Sequence, residues 1–460
     1  MNNLVRSAFL ITIIFIGLVM IGPVRFGTAQ AFSEINGIIN ADTTWTKTNS
    51  PYTLTGPVAV NTGVTLTIEP GVTVNLGAFY MQVNGTLVAK GTSTDKIYFN
   101  SANGSPNWAI AFNSNSANWN EQTGSGSIIQ NTVIATPSTG ISIDGVTPKI
   151  DSNSITGSYA IGIYNGSPVI SNNVITGNIG AFPASGSPTL IGNNIKGNIY
   201  AGPGSIISKN TISGSGNEIG IYCLGATISD NNIIGFQEAI STSSYISTIE
   251  RNLIINNEIG IQVGAPNVDY TFSQMPPTQY DFQVTIQNNL ITNNSEGISV
   301  TDLPLNVQIA HFKATIVNNN ILNNFNYNFY LAATPISITA ANNWWGTTDQ
   351  QTISQTIHDY KNDFNVGNVT FVPFLTSPNS QAPSSNIILP TQSALPSPYY
   401  SPSPSYSTSP SGNPTTSPQQ SVAQPTNPFG ANWVEILVIG LLVVIAVLLG
   451  AIVLLLRKRK

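Results

Sequence analysis

The sequence predicts an all-β fold built from short strands that repeat along the chain. An apolar-x-x-Asn-x-apolar pattern recurs between residues 128 and 321, at spacings of 22, 20, 20, 17, 21, 21, 37 and 30 residues. The intervening residues are rich in Ile, Val and Thr, which favour strands. A nearly fixed period of about 20 residues is typical of a solenoid and suits one turn of a parallel β-helix. The repeated asparagines are Asn131, Asn153, Asn173, Asn193, Asn210, Asn231, Asn252, Asn289 and Asn319.

These asparagines are expected to be structural. Asparagine tolerates the left-handed backbone conformation that sharp turns require. Amides stacked from turn to turn can also form a ladder of hydrogen bonds. The apolar residues three before and two after each asparagine, such as Ile228 and Ile233, are then expected to point into the tube.

Composition limits the possible partners. Only 8% of the 460 residues are charged and the net charge is −5. Six of the fifteen basic residues lie before residue 32 or after residue 456, which leaves nine basic against nineteen acidic residues between positions 32 and 433. Nucleic acid is therefore not an expected partner. The single cysteine, Cys223, is expected to be a small buried apolar residue.

The N-terminal part begins with a predicted signal peptide, residues 1–31. An apolar run follows Arg6, and Ala29-Gln30-Ala31 offers a small-x-small cleavage site. An uncleaved anchor is the alternative. Residues 35–99 then alternate strictly between apolar and polar, which predicts the first three or four turns of the tube.

Three irregular segments interrupt the repeat. Residues 100–127 predict a loop that carries Trp108 and Trp119. Insertions at 265–282, which contains Tyr270 and Tyr280, and at 302–313 are expected to leave one side of the tube as loops, where solenoids often bind ligands.

The end of the tube needs a cover, because otherwise unpaired backbone and core side chains would face water. Trp344 and Trp345 precede a predicted helix with Ile353, Ile357 and Tyr360 at helical spacing, and Thr348 with Gln351 forms a possible capping box. The predicted β-helix with its cap is residues 32–375.

The remaining chain predicts attachment to a membrane. Residues 376–430 contain twelve prolines among many Ser and Thr, which indicates a disordered, extended stalk. Residues 433–456 are long and apolar enough for one transmembrane helix. The basic tail 457–460 is expected to stay cytoplasmic, with the tube outside the cell membrane.

Three motifs resemble a known group of proteins. They are "GVTLTIEPGVTVNL" with "VNGTLVAKGTSTDKIYFN", the Asn-marked turns, and "NNWWGTTD" with the segment that follows it. Together they resemble right-handed parallel β-helix surface proteins of the pectin-lyase-like superfamily, many of them archaeal, and they are similar to the periplasmic NosD-like proteins of copper maturation. The resemblance covers about residues 35–375. It implies a right-handed β-helix of about 12–14 turns, with saccharide chemistry or metal handling as possible functions.

The residues themselves offer little for metal chemistry. Copper needs imidazole or sulfur ligands, and the chain has two histidines, His311 and His358, without ligand spacing. No cofactor or catalytic metal is predicted. Asp349, Asp359 and Asp363, with Asn362, could hold a structural calcium ion, although solvated charges at helix ends are the preferred interpretation.

Hydrolysis of a polysaccharide requires two carboxyl groups about 5–10 Å apart. The candidate pairs are Asp144 with Asp151, Asp230 with Glu250, and Glu238 with Glu258. Each residue can instead be a solvated wall residue, and no catalytic residue is predicted.

The preferred hypothesis is a non-catalytic surface protein for adhesion, envelope architecture or glycan binding, with polysaccharides or neighbouring surface proteins as partners. Exposed aromatic residues can stack on sugars, and the candidates are Trp108, Trp119, Tyr270 and Tyr280. The alternative is a polysaccharide lyase, glycoside hydrolase or epimerase. Five sequons predict glycosylation, at Asn84, Asn103, Asn165, Asn293 and Asn368.

Overall fold

Parallel β-strands make up nearly all of the regular structure. The computed structural model describes residues 33–101, 108–181, 186–243, 245–264, 282–301, 312–332 and 335–384. Its strands pair in parallel with the strands one turn before and after them. The predicted signal peptide, most of the predicted stalk and the predicted span lie outside the described residues, as do Asn103, Tyr270, Tyr280 and His311.

The strands lie on three faces, and most turns contribute one strand to each face. Face 1 is a 12-stranded sheet, and faces 2 and 3 together form a 23-stranded sheet. Face 1 comprises Thr43–Trp45, Thr65–Ile68, Thr86–Lys90, Ile128–Gln130, Lys149–Asp151, Val169–Ser171, Thr189–Ile191, Ile206–Ser208, Thr227–Ser229, Ile246–Glu250, Phe282–Gln287 and Phe312–Val317.

Faces 2 and 3 follow face 1 in every turn. Face 2 comprises Thr73–Gly77, Ile97–Ser101, Thr132–Ala135, Asn194–Lys196, Thr211–Ser213, Asn232–Ile234, Leu253–Ile255, Leu290–Thr292 and Asn320–Leu322. Face 3 comprises Met81–Val83, Trp108–Phe112, Thr139–Asp144, Ile199–Ala201, Ile219–Cys223, Glu238–Thr242, Ile259–Val263, Glu296–Val300, Tyr327–Leu331 and Ile357–His358. Four longer strands run across both faces, namely Ser33–Ile39, Tyr52–Val60, Ser154–Tyr164 and Val174–Ala181.

The turns stack residue on residue. On face 1, Ile228 pairs with Ile249, which pairs with Ile286, which pairs with Ile316, across successive turns. These side chains are fully buried in one continuous core of Ile, Val, Leu and Phe. Burial of this apolar surface is the main term that stabilises the stack. The arrangement fits a parallel β-helix.

The asparagine column lies at the corner between faces 1 and 2. Asn173 shows its geometry: its Oδ1 accepts from the backbone N and from Nδ2 of Asn153, at 2.8 and 3.0 Å. Its Nδ2 donates to Asn193 Oδ1 at 3.0 Å and to Ile150 O at 2.9 Å. The column consists of Asn153, Asn173, Asn193, Asn210, Asn231, Asn252, Asn289, Asn319 and Asn343.

Two expectations about these asparagines are wrong. Asn131 lies outside the column, because Thr132 occupies the aligned position and donates its N–H to Asn153 Oδ1. The left-handed conformation belongs to the residue before each column asparagine, as at Lys209 and Asp230, with φ of 57° and 59°. Asn131 itself has φ of 48°, because it aligns with such a preceding residue.

A second column at the corner between faces 2 and 3 was not predicted. Asn257, Asn294 and Asn324 repeat the same contacts, with Nδ2 to Oδ1 distances of 3.0 Å. Their spacings of 37 and 30 residues equal those from Asn252 to Asn289 and from Asn289 to Asn319. That shared spacing is the sequence signal for the second column.

The C-terminal cap differs in detail from the prediction. The helix is Gln350–Gln355, and Asp349, rather than Thr348, caps it by accepting from Thr352 N at 2.7 Å. Ile357–His358 leaves the helix and joins face 3 as a strand. Trp345 is buried and contacts Phe371 edge to face, so aromatic side chains help to cover the end of the core.

Residues 376–384 lie against the tube, although they were predicted to begin the stalk. Asn379 N donates to Asn320 Oδ1 at 2.8 Å, and Asn379 Nδ2 donates to Asn288 Oδ1 at 2.9 Å. Asn320 Nδ2 returns a bond to Asn379 O at 3.1 Å. We call residues 376–384 the C-terminal strap.

In the part of the chain that the structure describes, no helix has the length and apolar character needed to cross a membrane.

Candidate functional site

The last turns of face 3 bring polar and aromatic side chains into one outward-facing row. Backbone pairing aligns Ser299 with Tyr330 and Tyr330 with His358. It also aligns Glu296 with Tyr327. The alternate residues, such as Phe329, are buried in the core. The period of two along a strand therefore directs this row away from the core, with Ser299 covered and the aromatic side chains half-buried.

Three aromatic rings of this row contact one another. The centroids of Tyr330 and His358 are 4.5 Å apart, those of Tyr327 and His358 are 5.3 Å apart, and those of Tyr327 and Tyr330 are 5.6 Å apart. All three side chains are half-buried. Together they form an aromatic platform that remains partly accessible to a ligand.

The imidazole of His358 is held in one orientation. Its Nδ1 lies 3.0 Å from Leu331 O. A carbonyl oxygen can only accept, so Nδ1 carries the proton of this bond and Nε2 is the acceptor of the neutral ring.

Two carboxyl groups lie beside the platform on adjacent turns. Glu296 N donates to Glu258 O at 2.8 Å. Burial raises the pKa of the half-buried Glu296, and the nearby Glu258 carboxylate adds to that increase. Burial also raises the pKa of Tyr330, and Glu296 contributes in the same direction. We call Glu258, Glu296, Tyr327, Tyr330 and His358 the aromatic–carboxylate cluster.

Ser299 adds an unused polar group to the same row. Its side chain is 1% exposed, and among the described residues its Oγ makes no hydrogen bond of good geometry. The hydroxyl lies near enough to Glu296 to oppose the increase of the carboxyl pKa, yet the two groups do not form a well-aligned bond. A buried hydroxyl without a partner is unfavourable unless a ligand or water satisfies it.

The predicted carboxylate pairs do not form comparable sites. Arg251 bridges Asp230 and Glu250, with Nε to Asp230 Oδ1 at 2.8 Å and Nη1 to Glu250 Oε1 at 2.6 Å. These contacts lower the pKa of Asp230, first through its hydrogen bond with Arg251. Glu250 also accepts from Gln287 at 2.8 Å. This network is an ion-paired wall, so the two carboxylates are already occupied.

The other two pairs are not stacked. Asp144 ends a strand of face 3, whereas Asp151 belongs to face 1 and accepts from Ser171 at 2.6 Å. Glu238 is fully buried and aligns with Ile259 rather than with the exposed Glu258.

The cap aspartates serve as local caps. Besides Asp349, Asp359 accepts from Lys361 Nζ at 2.8 Å and from Val369 N at 3.1 Å. Asp363 accepts from Asn365 N at 2.9 Å. These hydrogen bonds lower the pKa of Asp363. Within the described ranges, no group of three or more His, Cys, Asp or Glu side chains is placed to hold a metal ion.

The two predicted tryptophans lie apart from the cluster. Trp108 starts a strand of face 3 and contacts Tyr80 edge to face. The ring of Trp119 is covered by Lys90 Nζ and Lys149 Nζ, at 5.5 and 5.4 Å from its centroid. A sugar would have to displace these lysines from Trp119.

A shallow cavity of about 280 Å³ lies on earlier turns of face 3, towards the N-terminal end of the tube. It is lined by Thr139, Tyr159, Gly162 and Tyr164. Tyr159 and Tyr164 are exposed.

Cys223 is fully buried, and burial raises the pKa of its thiol, as suits an unreactive core residue.

The sequons occupy different environments. Asn165 and Asn368 are exposed. Asn84 is half-buried, and its Oδ1 accepts from Gln82 and Asn113 at 3.1 and 2.9 Å. Asn293 is half-buried with φ of 55°.

Sequence reasoning missed Glu296, Tyr327 and Tyr330. The distance from the column asparagine gives no clean signal, because Ser299 lies ten residues after Asn289 and Tyr330 lies eleven after Asn319. Alignment of the turns by that distance would pair Ser299 with the buried Phe329, one residue out of register, so the row becomes visible only from the backbone pairing.

No protein-family model matches the chain, and no curated protein matches it. Among solved structures, it is similar to a mutant of the periplasmic alginate epimerase AlgG, with 11% sequence identity and a TM-score of 0.28, over 70% of this chain and 74% of that chain. At that TM-score the likeness supports no conclusion about function.

Proposed function

We propose that this protein is an exported, membrane-anchored right-handed β-helix that binds glycans at the cell surface without changing them chemically. The observation that carries the proposal is the aromatic platform of Tyr327, Tyr330 and His358, with carboxyl groups beside it. The apolar side of a sugar ring stacks on aromatic faces, and its hydroxyls donate to carboxylates.

The location outside the cell rests on the sequence. The signal peptide 1–31, the Pro/Ser/Thr-rich stalk and the apolar span 433–456 support a tube that is exported and held near the membrane. A wall with few charges and many Asn, Ser and Thr side chains suits contact with polysaccharides or neighbouring surface proteins.

Glycan binding by the purified full-length protein in detergent tests the proposal. A glycan array identifies a ligand, and calorimetry then compares wild type with Tyr330→Ala and Tyr327→Ala. Loss of a stacking ring is expected to weaken binding about tenfold or more. Tyr98→Ala is the matched control, because Tyr98 is an exposed tyrosine on face 2. Absence of any glycan ligand, or unchanged binding by both cluster variants, would overturn the proposal.

A specific observation also favours an acid–base enzyme as the second candidate. Glu296 has a raised pKa and lies one turn from Glu258, and a pair of carboxyl groups in different environments is what general acid–base chemistry on a polysaccharide needs. Assays for reducing ends, unsaturated products and epimerised residues test it. Turnover that disappears in Glu296→Gln would replace the binding proposal with a lyase, hydrolase or epimerase.

A further inference from the structure

We infer that the aromatic–carboxylate cluster selects glycans that carry protonated amines, such as polymers of glucosamine with free amino groups, over polymers of uronic acids. The inference rests on the proposed glycan binding and adds the substrate class. It follows from the charges around the platform and from the stacking rings.

The charges around the platform are mainly negative. Glu258 and His358 act on Glu296, while Glu296 and Asp363 act on Tyr330. Backbone pairing places Glu296 beside Tyr327 and one turn from Glu258, so carboxyl groups outnumber the single imidazole among the charged groups that act here. A uronate placed on the rings would meet like charges at close range, where repulsion is strongest.

The nearby lysine does not offset this charge. Lys361 Nζ is held by Ile357 O at 2.6 Å and by Asp359 Oδ1 at 2.8 Å. Because Asp359 already neutralises this ammonium group, it offers little attraction to an anionic sugar. The net negative charge of the side chains near the platform thus disfavours the binding of acidic glycans.

An amino sugar meets each feature of the cluster. Its ammonium group can form charge-assisted hydrogen bonds with Glu296 or Glu258 and can lie over a tyrosine ring, whose face attracts cations. The raised pKa of Glu296 shows that its charged form lacks sufficient compensation in the free protein, and an ammonium group would supply it.

The experiment compares three oligosaccharides with the full-length protein by calorimetry at neutral pH. They are a glucosamine hexamer with free amines, its fully N-acetylated counterpart and an oligogalacturonate. The free amine is expected to bind at least tenfold more tightly than the N-acetylated form, and the uronate still more weakly. Equal or tighter binding of the uronate would overturn the inference.

Isosteric variants assign the preference to the cluster. In Glu296→Gln and Glu258→Gln, the ratio of free-amine to N-acetylated affinity is expected to fall towards one. Glu34→Gln, an exposed carboxylate on the first strand, should keep the wild-type ratio. A ratio that stays at the wild-type value in the double variant Glu258→Gln with Glu296→Gln would overturn the inference.

Failure of this inference is distinguishable from failure of the proposed function. If the N-acetylated or uronic oligosaccharide binds at least as tightly as the free amine and loses that binding in Tyr330→Ala, glycan binding holds and the amine preference is wrong. If none of the three oligosaccharides and no array glycan binds, both are wrong.

Discussion

Asn231 shows why asparagine recurs at the first corner. Its Oδ1 accepts from the N–H and the amide of Asn210, and its Nδ2 donates to Asn252 Oδ1 and Ile207 O. Aspartate has the same size but no donor, and aliphatic residues have neither donor nor acceptor. The side chain is 2% exposed, so water cannot replace these partners.

Replacing Asn231 with alanine should destabilise the tube. Its removal takes the side-chain partner from the Asn210 backbone N–H, from one N–H of the Asn210 amide, whose other bond to Leu190 O remains, and from Ile207 O, and each such buried group costs about 1–3 kcal/mol. We therefore expect a loss of about 3 kcal/mol or more in unfolding free energy, measured by thermal and urea denaturation. Asn217→Ala, at an exposed asparagine, is the control. A loss in Asn231→Ala no larger than in this control would contradict the role of the column.

The sequence reveals the column but not the strained residue beside it. Column positions carry asparagine in turn after turn, so their period is visible. The preceding left-handed position holds asparagine in only part of the turns, and the residues there are Ser152, Asn172, Gly192, Lys209, Asp230, Arg251, Asn288, Asn318 and Asn342, so its pattern is weaker than that of the column. The hydrogen-bonded stack fixes the backbone there, and the cost of the left-handed conformation is offset by the neighbouring amide.

Glu296 should lower stability at neutral pH. Its folded pKa lies above the ordinary value of 4.5, so the folded state binds the proton more tightly than the unfolded state does. Proton binding by Glu296 therefore adds to the free energy of unfolding. This contribution is complete below the pKa of the unfolded state and is lost as the pH rises through the pKa of the folded state. The groups that act on this carboxyl are Glu258, Ser299 and His358.

Glu296→Gln is therefore expected to raise the melting temperature at neutral pH, with a difference that shrinks as the pH falls to about 4. Differential scanning calorimetry across this range measures the effect, with Glu34→Gln as the control. A lower melting temperature for Glu296→Gln at neutral pH would mean that the carboxylate stabilises the fold.

At the scale of elements, the strands were more predictable than the site. The alternation of Val58, Val60, Leu66 and Ile68 fixes which side of each strand is buried, and all four are in the core. The site depends instead on lateral register, which insertions between Val263 and Phe282 and between Val300 and Phe312 obscure in the sequence. His358 also joins face 3 only because the helix ends at Gln355.

The C-terminal strap offers a test at the same scale. Asn379→Ala removes the bond to Asn288 Oδ1 and the acceptor for Gln381 N, at 2.9 and 3.1 Å. We expect limited proteolysis of wild type to cut beyond residue 384, and that of Asn379→Ala to cut within 376–384, as mass spectrometry of the fragments would show. Gln381→Ala is the control. Cleavage of the wild-type protein at Thr376 would show that the C-terminal strap does not stay bound to the tube.

For the whole molecule, stability accumulates along the stack, since each turn buries apolar surface against its neighbours. The turn length and the β-branched composition were sufficient to predict an all-β, parallel, repeating architecture. Position relative to the membrane is a separate matter, and it rests on the signal peptide, the stalk and the span that the sequence predicts.

Protease treatment of intact cells tests that position. Cleavage in the stalk is expected to release a soluble, folded fragment that retains the tube, because the predicted anchor lies C-terminal to the cut. Immunoblotting of the supernatant with an antibody against the tube measures the release. If the tube stays with cells after complete cleavage, then the anchor lies elsewhere, as an uncleaved N-terminal segment would require.

The most direct measurement of the central claim is a crystal structure of the protein with the free-amine glucosamine hexamer. The account predicts a sugar ring stacked on Tyr327 or Tyr330, with its amino nitrogen within hydrogen-bond distance of Glu296 or Glu258. Sugar bound at the Tyr159–Tyr164 cavity or on another face, with the aromatic–carboxylate cluster empty, would contradict it.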